Sequence, residues 1–158
     1  MRRLILIILL CGIFFLLPLH VYFIGGDNGI GIQGAVFRYQ ITGYGNSFIT
    51  ITSDVMYILN GVYSGRTALS IILWVLGTIL LAATIIFGFA FVSDDRKDFY
   101  WQISLGLLST CACYLVSCIA QYGFFFSGSA GVSIPVGILF IVLWVVILNI
   151  YIKNNFQF

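Results

Sequence analysis

Glutamate is missing from all 158 residues, and charge of either sign is scarce. Only 8% of the chain is Asp, Glu, Lys or Arg, against about 25% in an ordinary soluble domain. Four stretches, 4–24, 67–92, 99–126 and 132–152, contain no charged residue at all. Ion-coupled transport and proton relays rest on ionisable groups inside the membrane, and the cores of these runs hold none. His20 is the sole histidine, so the chain has no metal-binding His pair and no plausible Ser/His/Asp set. It has no glycine-rich phosphate loop either. A net charge of +2 leaves no basic face for nucleic acid. Hydrolytic and phosphoryl-transfer chemistry are therefore not expected, and neither is a cofactor or a bound metal.

The apolar runs themselves are long. Each has about 20 residues or more, enough at 1.5 Å per residue to cross a hydrocarbon core about 30 Å thick. The expected fold class is an all-α membrane protein. It is a four-helix transmembrane bundle with a small antiparallel β-sheet in the first extracytoplasmic loop. The expected segments are helix 4–24, outer loop 25–66, helix 67–92, inner loop 93–98, helix 99–126, outer loop 127–131, helix 132–152 and tail 153–158. The first run begins after Arg2-Arg3 like a secretory signal, but its apolar part continues past Pro18 with no small-x-small cleavage site after it. It reads as an uncleaved helix.

Lys and Arg favour the cytoplasmic side. With both termini inside, Arg2, Arg3, Arg96, Lys97 and Lys153 are cytoplasmic, and Arg38 and Arg66 lie outside. The expected location is an integral, multi-pass protein of the cell membrane with cytoplasmic termini. Tyr22, Phe23, Tyr100, Trp101, Tyr122 and Tyr151 fall where an interfacial aromatic belt belongs. The 93–98 turn, with Asp94, Asp95, Arg96, Lys97 and Asp98, reads as a solvated hairpin in which Ser93 or Asp94 caps the next helix.

In the first outer loop the pattern changes to period two. Phe37, Tyr39 and Ile41 alternate with Arg38, Gln40 and Thr42. A second alternating run follows the turn at 43–46, so the pair predicts a hairpin. Asn28-Gly29 and Asn60-Gly61 add turn signals suited to three or four strands. Residues 55–59 are expected as a third strand, the alternative being a short helix capped by Asp54 and ended at Gly61. The loop has no Cys and no glycosylation sequon. Arg38, Tyr39, Tyr44, Phe48, Tyr57 and Tyr63 form the candidate partner-binding surface, since interfaces favour aromatic and Arg anchors. The same aromatics also suit the sheet's own packed face.

The third run is the most polar. Gly106, Ser109, Thr110, Cys113, Ser117 and Ala120 recur at spacings of three and four, the pattern of a close helix–helix contact. The other reading is a pore lining of Ser109, Thr110, Ser117 and Gln121. Thr78, Thr84 and Asn149 are the notable polar groups on the other runs. Cys111, Cys113 and Cys118 share one helix and cannot converge on a metal without ligands from elsewhere. His20 reads as an interfacial polar residue.

Four helices with both termini inside, a β-rich first outer loop and a short second one resemble the claudin-like superfamily. That resemblance covers the whole chain at the level of architecture. It implies a sealing or adhesive protein, or an accessory subunit of a channel. The family's Trp…Gly-Leu-Trp…Cys…Cys signature has no counterpart in this first loop, which holds no Trp and no Cys. No functional residue carries over. The expected function is a non-catalytic structural or accessory subunit of a larger membrane protein complex. It would contact other integral membrane subunits, or itself, through its helices and outer loop, and the lipid bilayer around them. The alternatives are a self-associating adhesion or barrier protein and a small oligomeric channel.

Overall fold

Pro18 stops the first helix early. Proline has no N–H to continue a helix and disfavours helical geometry at the residue before it. In the computed structural model, which describes residues 2–25, 29–91 and 97–155, helix α1 spans Arg2–Leu16. The rest of the expected 4–24 helix is instead strand β1, His20–Ile24. The run looked helical throughout because β1 keeps apolar residues on one face and the amphipathic His20 and Tyr22 on the other. Strand β2 (Gly29–Gln33), β3 (Phe37–Thr42) and β4 (Gly45–Thr50) follow as a meander. Asp27, Asn28, Ser93, Asp94, Asp95 and Arg96, to which the sequence assigned charge or turn roles, lie outside the described residues.

Residues 55–59 are not a strand. They belong to helix α2, Ile51–Leu59. The Thr50 hydroxyl accepts from the Ser53 N–H at 3.4 Å and starts the helix. Gly61, at φ +71°, ends it in the left-handed region where glycine is unstrained. Asp54 sits in the first turn but does not cap, because its side chain points to the sheet.

Helix α3 (Gly65–Ala90) and helix α4 (Lys97–Tyr122) form a long antiparallel pair. The expected third helix, 99–126, ends at Tyr122, and Gly123 turns away at φ +89°. Two short strands, β5 (Ser127–Gly128) and β6 (Gly131–Ile134), come next, and Pro135 leads into helix α5, Val136–Asn155. The beginning of the expected 132–152 helix is thus β6. The sheet is larger than one loop can supply: six antiparallel strands in the order β4-β3-β2-β1-β6-β5. Among the described residues, three helices are long and apolar enough to cross a membrane: Gly65–Ala90, Asp98–Tyr122 and Val136–Lys153. α1, with 15 residues, is shorter.

α3 and α4 approach closely where their side chains are small. A Cβ on Gly77 would lie 2.7 Å from the Tyr114 ring, and one on Gly106 would press into the Thr84 hydroxyl. Ser70 and Ser117 exchange hydrogen bonds across the pair: Ser70 Oγ donates to the Ser117 carbonyl at 2.9 Å, and Ser117 Oγ to the Ser70 carbonyl at 2.7 Å. On the other side of α4, Asn149 Nδ2 donates to Ser104 Oγ at 3.2 Å and ties in α5.

The sheet has an inverted polarity. Its register places His20, Gln33 and Arg38 side by side on the face toward the helices. The next row on that face is Ser133, Tyr22, Gly31, Gln40 and Ser47. The opposite face carries Ile134, Val21, Ile32, Tyr39 and Phe48 in one row. Val132, Phe23, Ile30 and Ile41 form the row beyond it, which ends in Ser127 on β5 and Asn46 on β4. The polar face is covered and the apolar face is open.

Replacing Gly106 by valine is expected to separate α3 from α4 and cost about 1–3 kcal/mol, the usual penalty of overpacking a tight contact. Unfolding in detergent micelles would read this as a lowered midpoint.

Candidate functional site, a polar layer under the sheet

The tight turn between β2 and β3 positions this layer. Trp74 Nε1 on α3 donates to the Gly34 carbonyl at 3.0 Å, and Thr78 Oγ1 donates to the Ala35 carbonyl at 2.7 Å. The Tyr114 hydroxyl of α4 lies 3.2 Å from Thr78 Oγ1. With the Thr78 proton given to Ala35, Tyr114 is the donor in that contact. The turn is therefore locked against the middle of the α3–α4 pair.

His20 is the centre of the layer. Its Nε2 is 2.9 Å from Gln33 Oε1 and its Nδ1 is 3.0 Å from Ser133 Oγ. An amide oxygen only accepts, so Nε2 carries the proton and Nδ1 accepts from Ser133. The imidazole also meets the Tyr22 ring at 5.5 Å and the Tyr122 ring at 5.9 Å. Tyr22 reaches across Gly31, where any Cβ would overlap its ring, and donates to Gln40 Oε1 at 3.3 Å. Burial pushes His20 down to about 4; the Arg38 charge adds to this and the Gln33 hydrogen bond opposes it. Burial likewise pushes the Tyr22 hydroxyl up to about 12.

A second group joins β3 to α2. Arg38 Nη2 donates to Asp54 Oδ1 at 2.7 Å and to the Tyr63 hydroxyl at 3.3 Å. The guanidinium also lies 5.9 Å from the centre of the Tyr63 ring. Asp54 is fully buried. Burial holds its carboxyl above the ordinary range, partly offset by Arg38. Burial works against the Arg38 charge, but Asp54, Tyr22 and Tyr63 outweigh it and hold Arg38 above its usual value.

This arrangement holds parts of the chain together. His20 Nε2 faces an amide in place of the carboxylate that would polarise it, and Ser133 is almost wholly buried. No group of three His, Cys, Asp or Glu suited to a metal occurs among the described residues. Two surface grooves lie elsewhere and are apolar, one of them between α1 and Trp144 of α5, the other between α2 and α3.

The residues singled out from sequence are distributed as follows. Arg38 faces inward and is paired, while Tyr39 and Phe48 stand on the apolar face. Tyr44, at 90% exposed, projects from the β3–β4 turn. Tyr57 and Tyr63 stack edge to face at 5.5 Å. On α4, Thr110 and Ser117 are buried, Gly106, Cys113 and Ala120 are half-buried and Ser109 is exposed. Ser109 is thus turned away from Thr110 and Ser117, which lie seven positions apart on the buried side of α4. Sequence reasoning passed over Gln33 and Ser133 and gave Asp54 only a capping role. The single available signal for Gln33 and Ser133 was a polar residue inside a short apolar alternation.

No protein-family model matches the chain, and a search of curated proteins finds no match.

Two outcomes follow for stability. His20 has a folded value near 4 and an unfolded value of 6.5, so the unfolded chain binds the extra proton between them. Stability is complete above pH 6.5 and falls by about 3 kcal/mol as the pH drops from 6.5 to 4. Unfolding at stepped pH would show this slope, and His20→Gln would flatten it. Asp54→Leu alone removes the carboxylate partner of the half-buried Arg38 guanidinium and is expected to cost about 2–3 kcal/mol, whereas Asp54→Leu with Arg38→Met costs less. A double-mutant cycle reads the difference.

Proposed function

We propose that this chain is a non-catalytic structural or accessory subunit of a larger integral membrane assembly. In this reading α1, α3, α4 and α5 form an antiparallel four-helix transmembrane bundle, α1 completing its crossing through the extended residues after it. Both termini are cytoplasmic and the sheet stands on the outer side of the cell membrane. The observation that carries the reading is how the polar groups are spent. His20, Gln33, Ser133, Arg38, Asp54, Ser70, Ser117, Thr78 and Tyr114 each bond to another part of the same chain. A catalyst or carrier keeps some such groups aimed into a cleft. Here they serve cohesion, which suits a protein whose work is to present surfaces. The surface offered to another subunit is the exposed Tyr44 tip with the outer side of α2, where Met56, Tyr57 and Leu59 stand in solvent.

A second reading is self-association, which a resemblance to the claudin-like superfamily would imply. β4 lies at the sheet edge, and an edge strand can pair with the same strand of a second copy.

Native purification in mild detergent, with mass spectrometry of what co-migrates, separates the two. A fixed set of other membrane subunits, lost on Tyr44→Lys with Tyr57→Ala, is the expected result. Recovery of this chain alone as a homo-oligomer would favour self-association, and recovery as a monomer would defeat both.

A further inference from the structure

The inverted sheet needs an explanation that cohesion does not give. Its open face bears Phe23, Ile30, Ile41, Phe48, Val132 and Ile134, each between 41% and 63% exposed. No charged residue stands in either row of that face. A sheet washed by water on its outer side alternates the other way, apolar in and polar out.

Chain lengths say what lies there. α1 starts at Arg2 and its 15 residues rise about 22 Å. Leu17, Pro18 and Leu19, extended at about 3.3 Å each, bring the chain to about 32 Å, at the beginning of β1. From Lys153 back along α5 to Val136 is 18 residues, about 27 Å, and Pro135 adds about 3 Å to end at Ile134. A hydrocarbon core is about 30 Å thick. The counts thus reach its far boundary at the beginning of β1 and at Ile134, and Val21, one residue beyond His20, is the register partner of Ile134. The strands also keep their lower ends level: the Leu19 N–H bonds to the Gln33 carbonyl at 2.7 Å, and the Gly137 N–H bonds to the Leu19 carbonyl at 2.9 Å. The row containing Ile134, Val21, Ile32, Tyr39 and Phe48 therefore sits at the edge of the acyl chains. The next row, two residues on, stands about 7 Å higher, within the headgroup zone. Below, the face continues into the exposed Leu139 and Phe140 of α5 and Phe15 and Leu16 of α1.

We propose that the outer face of the sheet is a lipid-contact surface, seated in the interface of the leaflet opposite the chain termini. Its occupant is bilayer phospholipid at the junction of acyl chain and headgroup. Amphipathic elements that lie in this zone bury their apolar side about 5–10 Å into the boundary. The sheet can enter it because its strands pair with one another and its polar side chains are turned inward against α4 and α2. The proposal rests on the transmembrane reading above. It is independent of whether the Tyr44 tip meets another subunit.

The test uses the full chain in phosphatidylcholine vesicles, with Trp101→Phe and Trp144→Phe leaving the buried Trp74 as background. Single tryptophans are introduced as Phe23→Trp and, as a second variant at the lower row, Tyr39→Trp. Leu143→Trp, on the exposed side of α5, is the control for insertion. The expected result is quenching by phosphatidylcholine brominated on its acyl chains to roughly half or more of the Leu143→Trp extent, with little quenching by aqueous iodide. Quenching by iodide instead means that the face is in water and overturns the proposal. Protection from both quenchers means that protein covers it, a second copy or another subunit, and also overturns it. An unquenched Leu143→Trp would show that the chain does not span the bilayer, so that the transmembrane reading fails and the lipid surface with it.

Discussion

Two main-chain carbonyls, those of Gly34 and Ala35, decide where the sheet stands. Both are claimed by side chains in the body of α3, Trp74 and Thr78, well inside that helix. A turn of a few residues has no means of holding itself against a helix pair. Buried carbonyls without partners would cost about 1–3 kcal/mol each, so the helix donors and the turn depend on one another. Once the turn is placed, β2 and β3 extend from it as an antiparallel pair. Gln33, Arg38 and Gln40 then face inward and need partners of their own.

Those partners come from distant parts of the chain. His20 supplies Gln33 and takes Ser133; Arg38 takes Asp54 and Tyr63; Gln40 takes Tyr22. The layer consists of three hydrogen-bonded groups enclosed between sheet and helices, with Arg38 Nε, Ser47 Oγ and Asp54 Oδ2 left without a partner. Such a set specifies one arrangement strongly when complete and penalises any alternative that leaves a member unpaired. The same low-polarity surroundings displace His20 and Tyr22 from their ordinary titration ranges. Cohesion and titration behaviour are here two results of one enclosure.

Much of this was legible from residue order, and the misses share a cause. The long apolar runs announced α3, α4 and most of α5, because a stretch of more than 20 uncharged residues has few alternatives to a helix. The alternation from Phe37 to Thr42 announced β3 for the same kind of reason. β1 and β6 were hidden because each is joined to a helix without any polar interruption. Their outward residues are as apolar as a transmembrane helix, and hydropathy alone cannot tell them apart. Pro18 and Pro135, standing at the two junctions, were the local clues. α2 was mistaken for a strand because a nine-residue segment is too short for its period to show. The pairing of Arg38 with Asp54 and of His20 with Ser133 joins residues 16 and 113 positions apart, and no local pattern encodes such a meeting.

The strand order has a consequence for how the molecule is made. β1 to β4 are neighbours in sequence as in space, and a growing chain releases them early. β6 takes its place beside β1 only after α3 and α4 have been synthesised, and until then Ser133 is absent and one side of β1 stays unpaired. Synthesis proceeds from the N-terminus, so closure of the sheet waits until β6 has been made. The His20–Ser133 contact is thus a latch that β6 engages after the helices before it, and a chain truncated before residue 131 would carry an open strand edge that quality control can recognise.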